Sequence, residues 1–302
     1  MAFYDRAIVR MLPAVPKPVV RRLSQRYIAG EEISDAVRVV VELNTAAKSA
    51  TVDVLGEEIV ERDEAERIMQ AYLDVLDAIE REGLDSNVSV KPTGLGLKLD
   101  LGLCRENLER VVRAAGERGN FVRIDMEDAT TTDDTLALYR ELREAGLDNV
   151  GVVLQASLRR SLSDVEALAD LRPNVRLCKG IYVEDEEIQF REFEAVRANF
   201  VRLLEALLAT DCYLGIATHD EWLVDEGRRL ADGRPHEFQM LLGVRTQLGD
   251  ELVREGRKLR IYVPYGRHWY QYSLRRLQEN PKIAGYVAAD TFSRLLPGRR
   301  VA

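Results

Sequence analysis

The chain has 302 residues, 46% of them hydrophobic and 31% charged, and a formal net charge of −8, the balance of a globular protein. That acidity, with no basic tract interleaved with aromatics, excludes a protein built to grip nucleic-acid phosphates. Three cysteines, Cys104, Cys178 and Cys212, cannot form a fully paired disulfide framework and none lies in a CxxC spacing, which predicts a reducing, cytoplasmic setting.

The first thirty or so residues combine short apolar pieces (Phe3, Ile8, Val9, Val19, Val20, Leu23) with Pro13, Pro16, Pro18 and the pair Arg21–Arg22. They read as one or two amphipathic helices with a proline joint. Their apolar positions are expected to cover the rest of the fold; contact with a membrane surface, at its inner face, or with a second copy of the chain stays open. Arg6, Arg10 and Pro13 break this start before it reaches signal-peptide length, and no stretch approaches the roughly 18 apolar residues of a membrane span. Ser34 is a plausible N-cap for the periodic run that follows.

From there apolar, β-branched runs alternate with long helices such as ERIMQAYLDVLDAIEREG and TDDTLALYRELREAG. Strands are predicted at Ala50–Leu55, Asn87–Pro92, Phe121–Met126, Val150–Gln155, Val175–Ile181, Tyr213–Thr218, Glu237–Leu242 and Leu259–Pro264. Near-continuous apolar strands separated by helices imply a parallel sheet covered on its outer face. Eight such units predict a closed (β/α)8 TIM barrel of the α/β class rather than an open sheet. With no linker in view, one domain over 1–302 is expected: N-terminal helices over 1–48 and the barrel over 49–302.

Active sites of such barrels lie at the C-terminal ends of the strands. Here those ends carry Lys91, Asp125, Gln155, Arg176 with Lys179 and Gly180, then Thr218 and His219, Gln239 and Tyr262. Burying so many polar groups without partners would be costly, so their convergence predicts a functional rim. After the last strand, Arg275, Arg276 and Glu279 fall within about one helical turn. Two guanidiniums with a built-in counter-ion could clamp a carboxylate, although a solvated helical salt bridge has the same spacing. Lys91 reads either as a Schiff-base nucleophile or as a partner of Asp125. Asp125, Glu127 and Asp128 form a carboxylate cluster, but none of the three histidines (His219, His236, His268) adjoins it, so no metal is indicated. Gly94 and Gly96 resemble part of a phosphate loop but read more simply as a turn, and His219 is divided evenly between a structural role and phosphate binding.

In order, VSVKPTGLG, RIDMED, VVLQASLRRS, VRLCKGIY, ATHD, EFQMLLG and YVPYGRHWYQYSLRRLQE resemble the flavin-dependent proline dehydrogenases, of the short monofunctional type. The likeness runs from about Val88 to Glu279, with a weaker echo in TVDVLGE. It implies a distorted barrel holding FAD non-covalently and oxidising L-proline to 1-pyrroline-5-carboxylate, the first step of proline catabolism, with a quinone reoxidising the flavin. By the same resemblance Arg275, Arg276 and Lys91 bind the substrate carboxylate and Asp125 and Arg176 are catalytic. Tyr262 packs against the proline ring, and Glu279 orients an arginine. Met126, Gln155, Lys179, Gly180, Ile181, Thr218, His219 and Gln239 fall at flavin-contacting positions. No side chain stands out as a general base, so the amine is expected to bind already neutral. Asp220 stands where the family has asparagine, placing a negative charge near the presumed phosphates, and Gln271 stands where proline is frequent. Three other readings compete: a methylenetetrahydrofolate reductase-like flavin barrel, a Schiff-base aldolase using Lys91, and a non-catalytic scaffold.

Overall fold

The computed structural model describes residues 20–21, 26–57, 59–270 and 272–273. Eight strands among them close into a barrel: β1 (Ser49–Val54), β2 (Ser86–Val90), β3 (Val122–Ile124), β4 (Val150–Gln155), β5 (Asn174–Cys178), β6 (Tyr213–Ala217), β7 (His236–Leu241) and β8 (Leu259–Tyr265). Every neighbouring pair is parallel, and β1 pairs with β8 to complete the ring. Helix α1 (Ile33–Thr45) precedes β1, and between the strands lie α2 (Arg62–Glu82), α3 (Leu101–Glu117), α4 (Thr132–Glu144), α5 (Ser161–Leu168), α6 (Phe193–Leu208), α7 (Glu221–Leu230) and α8 (Thr246–Arg254).

Successive strand side chains point to opposite faces, and this chain uses the two faces for different chemistry. Val52, Val88, Ile124, Val152, Leu177, Ile216 and Phe238 share one apolar cluster with Leu76, Leu108, Leu138 and Phe200 of the surrounding helices. The registers carry the alternate residues around the ring as a set: Asp53 faces Ser89, Ser89 faces Arg123, and Arg176 faces Gly215. Gln239 faces Arg260 in the same way. The apolar core therefore lies between sheet and helices, and the lumen is polar.

Three strands end two or three residues earlier than the sequence pattern predicts. β2 stops at Val90 because Pro92 has no N–H for the ladder, and Thr93–Leu95 turns as a 3-10 helix. β3 stops at Ile124, and β5 at Cys178, two residues before Gly180 takes φ +93°. Lys179, Gly180 and Ile181 thus belong to the loop at the mouth. Among the described residues no helix is long and apolar enough to cross a membrane. Of the apolar positions predicted to cover the fold, Val20 is buried; Phe3, Ile8, Val9, Val19 and Leu23 lie outside the described residues.

Candidate active site

Asp125, just past β3, is the hub of the barrel mouth. Its Oδ1 accepts from Ser89 Oγ (2.6 Å) and from Arg176 Nη1 (2.6 Å). Its Oδ2 accepts from the Tyr262 hydroxyl at 2.9 Å. That hydroxyl in turn accepts from Lys91 Nζ at 2.9 Å, and Lys91 donates to Asp53 Oδ1 at 2.6 Å. The Tyr262 ring sits between two cations, with Lys91 Nζ 5.5 Å and Arg176 Cζ 5.4 Å from its centroid. Arg176 is steadied from below, where its Nε donates to Gln239 Oε1 at 2.5 Å. Lys91, Asp125, Arg176, Tyr262 and Gln239, predicted separately from strand ends, form one network.

Burial and charge set the protonation of these groups. Burial pushes the Asp125 carboxyl up, but Arg176, Lys91, Ser89 and Tyr262 outweigh it and hold it below the usual carboxylate range. Burial alone pulls the Lys91 ammonium down, yet Asp53, Glu57 and Asp125 reverse that and raise it above an ordinary lysine. A Schiff-base lysine must instead be drawn toward neutrality, and an ammonium ringed by the carboxylates of Asp53, Glu57 and Asp125 is unsuited to that role. Burial and the charges of Asp125 and Asp53 hold the Tyr262 phenol well above its ordinary value, so it remains a donor.

A second group lies past β4 and β5. Gln155 Nε2 donates to the carbonyls of Glu127 (2.7 Å) and Met126 (3.3 Å). Gly180 packs so closely that a Cβ there would lie 2.3 Å from Ser157 Oγ and 2.6 Å from Gln155 Oε1. Ser157 Oγ is itself buried with no hydrogen-bond partner among the described residues. Ile181, by contrast, is half exposed.

A third group surrounds the end of β6. The Asp220 carboxylate, unexpected at this position, is bound by Lys179 (2.5 Å) and by two nitrogens of Arg197 (2.8 and 2.7 Å), so its charge is locally neutralised. The Phe193 ring lies under both cations, at 4.5 Å from Lys179 Nζ and 4.3 Å from Arg197 Cζ. His219 Nε2 accepts the Leu241 N–H at 2.9 Å. That bond makes the ring a brace between β6 and β7, and this nitrogen is no phosphate donor. The Thr218 hydroxyl accepts from the Asp220 N–H at 3.2 Å.

Sequence reasoning missed Asp53, Ser89 and Tyr72. Asp53 is fully buried at the end of β1, and the Tyr72 hydroxyl on α2 donates to its Oδ1 at 3.2 Å. The signal was available: in TVDV, Asp53 alternates with Val52 and Val54, which places it on the lumen side. Arg275, Arg276 and Glu279, the predicted carboxylate clamp, lie outside the described residues, as does Gln271.

The family model for proline dehydrogenase matches residues 36–289. The proline dehydrogenase of Deinococcus radiodurans is 38% identical over 276 residues, which cover 88% of this chain and 88% of that protein. Proline dehydrogenase 2 of Bacillus subtilis strain 168 is 36% identical over 267 residues, covering 87% and 88%. Among solved structures, proline utilization A (PutA) of Bdellovibrio bacteriovorus inactivated by N-propargylglycine superposes with a TM-score of 0.81 at 22% identity. That superposition covers 92% of this chain and 36% of the PutA chain, and at such identity it speaks for the barrel fold alone.

Proposed function

This chain belongs to the proline dehydrogenase family and is a proline-oxidising enzyme; from that premise we propose that it uses FAD as hydride acceptor and passes the electrons to a quinone-type acceptor. The observation that carries the reading is the Asp125 network, which gathers an ammonium (Lys91) and a guanidinium (Arg176) about one tyrosine ring at the barrel mouth. When bound, FAD supplies the two-electron acceptor: the ring carbon beside nitrogen gives up a hydride, the nitrogen a proton, and a C=N bond forms.

Several features support a flavin nucleotide there. Gln155 and Gln239 are amides suited to the polar edge of a flavin ring. Gly180 and the unpartnered Ser157 hydroxyl form a close backbone cradle, and Lys179 and Arg197, stacked on Phe193, are cations of the kind that attract a diphosphate. Met126, whose carbonyl accepts from Gln155, and Ile181, Thr218 and His219 are assigned to the same cofactor by the family resemblance.

The protein's own part is positioning and charge. Lys91, together with Arg275 and Arg276 in this reading, fixes the substrate carboxylate, and the Tyr262 ring packs against the pyrrolidine. Arg176, anchored by Asp125 and Gln239, would present positive charge to the electron acceptor, which gains negative charge as the substrate gives up its hydride. Glu279 is assigned to orienting one of the arginines.

The test is a visible absorption spectrum of the purified protein, repeated without oxygen after addition of L-proline. A flavin band that bleaches with proline is expected. A band indifferent to proline, or none after reconstitution with FAD, overturns the cofactor assignment.

A further inference from the structure

Asp53 is the deepest charged group at the mouth, and nothing in the reaction as described uses it. Its position follows from β1, where the two-residue period turns it into the lumen. One oxygen receives Lys91 Nζ at 2.6 Å and the Tyr72 hydroxyl at 3.2 Å. The other, Oδ2, is buried with no hydrogen-bond partner among the described residues. Burying a carboxylate with one oxygen bare is unfavourable, and burial lifts the Asp53 carboxyl above its ordinary value even though Lys91 draws it down. The arrangement makes sense if the charge itself is needed, undispersed, next to Lys91.

Other carboxylates serve that end less well. Glu57 and Asp125 each stand 3.7 Å from Lys91 Nζ, and Asp125 already shares its charge with Arg176 at 2.6 Å. Asp53 is the nearest counter-charge by about an ångström. The groups that face Lys91 are Asp53 and Glu57 from β1 and the loop after it, Asp125 and Glu127 from the segment after β3, and Tyr262 from β8. Tyr72 on α2 stands behind Asp53, and Arg176 on β5 lies across the Tyr262 ring.

We propose that Asp53 is a positioning residue for proline oxidation: it locks Lys91 as an ammonium and fixes the aim of that ammonium at the substrate carboxylate. The inference rests on the reading of Lys91 as a carboxylate ligand. With Asp53 gone, only Glu57 and Asp125, each 3.7 Å away, oppose the burial of Lys91, and burial draws a lysine down, so removing Asp53 should make substrate capture depend on pH where it did not before.

The experiment uses holoenzyme of the wild type, Asp53→Asn, Lys91→Met and the double variant, with cyclopentanecarboxylate as probe. This ligand has the ring and the carboxylate but no amine to titrate, and its binding is read by calorimetry alongside proline turnover. Wild-type affinity should be flat from about pH 8 to about 9.5, above the Glu127 carboxyl, which burial pushes up to about 7. Asp53→Asn should bind the probe about ten- to a hundredfold more weakly at the upper end of that range, recover toward the lower end, and raise KM more than it lowers kcat. In the Lys91→Met background, Asp53→Asn should remove nothing further. A flat, wild-type-like profile in Asp53→Asn, or a full additional loss in the double variant, overturns the proposal. If Lys91→Met binds the probe like wild type, the carboxylate assignment of Lys91 fails instead, which is a separate result. Should Asp53→Asn not fold, the wild type decides: an inflection in its binding between about pH 8 and 9.5, above the Glu127 carboxyl, means that Lys91 titrates there and is not locked, whereas a flat profile over that range supports the lock.

Discussion

Asp125, Glu127 and Asp128 stand within four residues of one another, yet the fold places them in three different electrostatic settings. Asp125 is gripped by four donors and cations and stays ionised. Asp128, despite partial burial, is held below its ordinary value by Lys98, 2.8 Å away, and by Thr130. Glu127 is buried, and burial pushes its carboxyl up to about 7, although the Thr93 hydroxyl (2.6 Å) and N–H (2.8 Å) both donate to it. A carboxyl that titrates near 4.3 in the unfolded chain and near 7 when folded binds more protons in the folded state between those values. Stability is unaffected below about pH 4, falls as pH rises through that window, and carries the full penalty above about 7. Glu127→Gln, neutral throughout, should therefore gain on the wild type by up to ~3 kcal/mol between about pH 5 and 8. Urea unfolding at a series of pH values checks this, and parallel curves would contradict it. At this scale the sequence was legible in part. RIDMED announced a carboxylate cluster, but which member faces the lumen depends on where β3 ends. Asp53 was hidden because one acid amid valines looks like noise until the neighbouring strand supplies Lys91.

The turn after β2 is the element on which the site hangs, since it carries Lys91 out of the strand and seats it against β1. Its 3-10 segment, Thr93–Leu95, packs so tightly that a Cβ on Gly94 would lie 2.2 Å from the backbone carbonyl oxygen of Gly56. Backbone on both sides cannot yield, so Gly94→Ala should force the turn away from β1, lower stability by about 1–3 kcal/mol and reduce kcat/KM. Gly146 is the control. It closes α4 at φ +80° with nothing within 4 Å of a Cβ, so Gly146→Ala should lose only the ~1–2 kcal/mol of a left-handed backbone and leave kcat/KM unchanged. Thermal unfolding with steady-state kinetics separates the two; equal loss of activity in both would remove the special role of the turn. The elements themselves were legible because their periods differ. β4 runs over Val150–Gln155 as predicted, and α2 stops at Gly83, which caps it at φ 59°. β2 and β3 were read too long because the mouth loops continue them with buried residues such as Lys91 and Met126, and β5 because Ile181 prolongs its apolar pattern although it is half exposed. Burial pattern alone does not tell a strand from a packed loop.

Taken as one object, the barrel departs from the usual lumen of branched aliphatics. A chain of polar contacts descends from the mouth: Arg176 to Gln239, Gln239 Nε2 to Glu237 Oε1 (2.6 Å), Arg260 Nε to Glu237 Oε1 (2.8 Å), and Arg260 Nη1 to the carbonyl of Ala50 (2.7 Å). Glycines make room for it. A Cβ on Gly215 would lie 2.5 Å from Gln239 Nε2, and one on Gly151 would lie 2.5 Å from Arg123 Nη1. The contact between Gln239 and Glu237 fixes which end of the amide faces Arg176, so the base of the barrel sets the geometry of the site above it. Glu237 is pushed up by burial but drawn down further by Arg260 and Gln239, so it remains ionised. Removing Arg260 strands that charge, whereas removing both partners does not, because a broken buried pair is worse than an absent one. Arg260→Met should therefore lose about 3–5 kcal/mol near neutral pH, and Arg260→Met combined with Glu237→Leu should lose less. The deficit of the single variant should also shrink as pH falls: a carboxylate held below its unfolded value contributes stability above that value and loses it as protons bind, and the variant has already lost that contribution. Urea midpoints of the wild type and both variants at about pH 3.5 and pH 8, on either side of an ordinary glutamate's titration, decide the matter. A double variant no more stable than the single would mean that the column is held by packing, with charge pairing incidental to it.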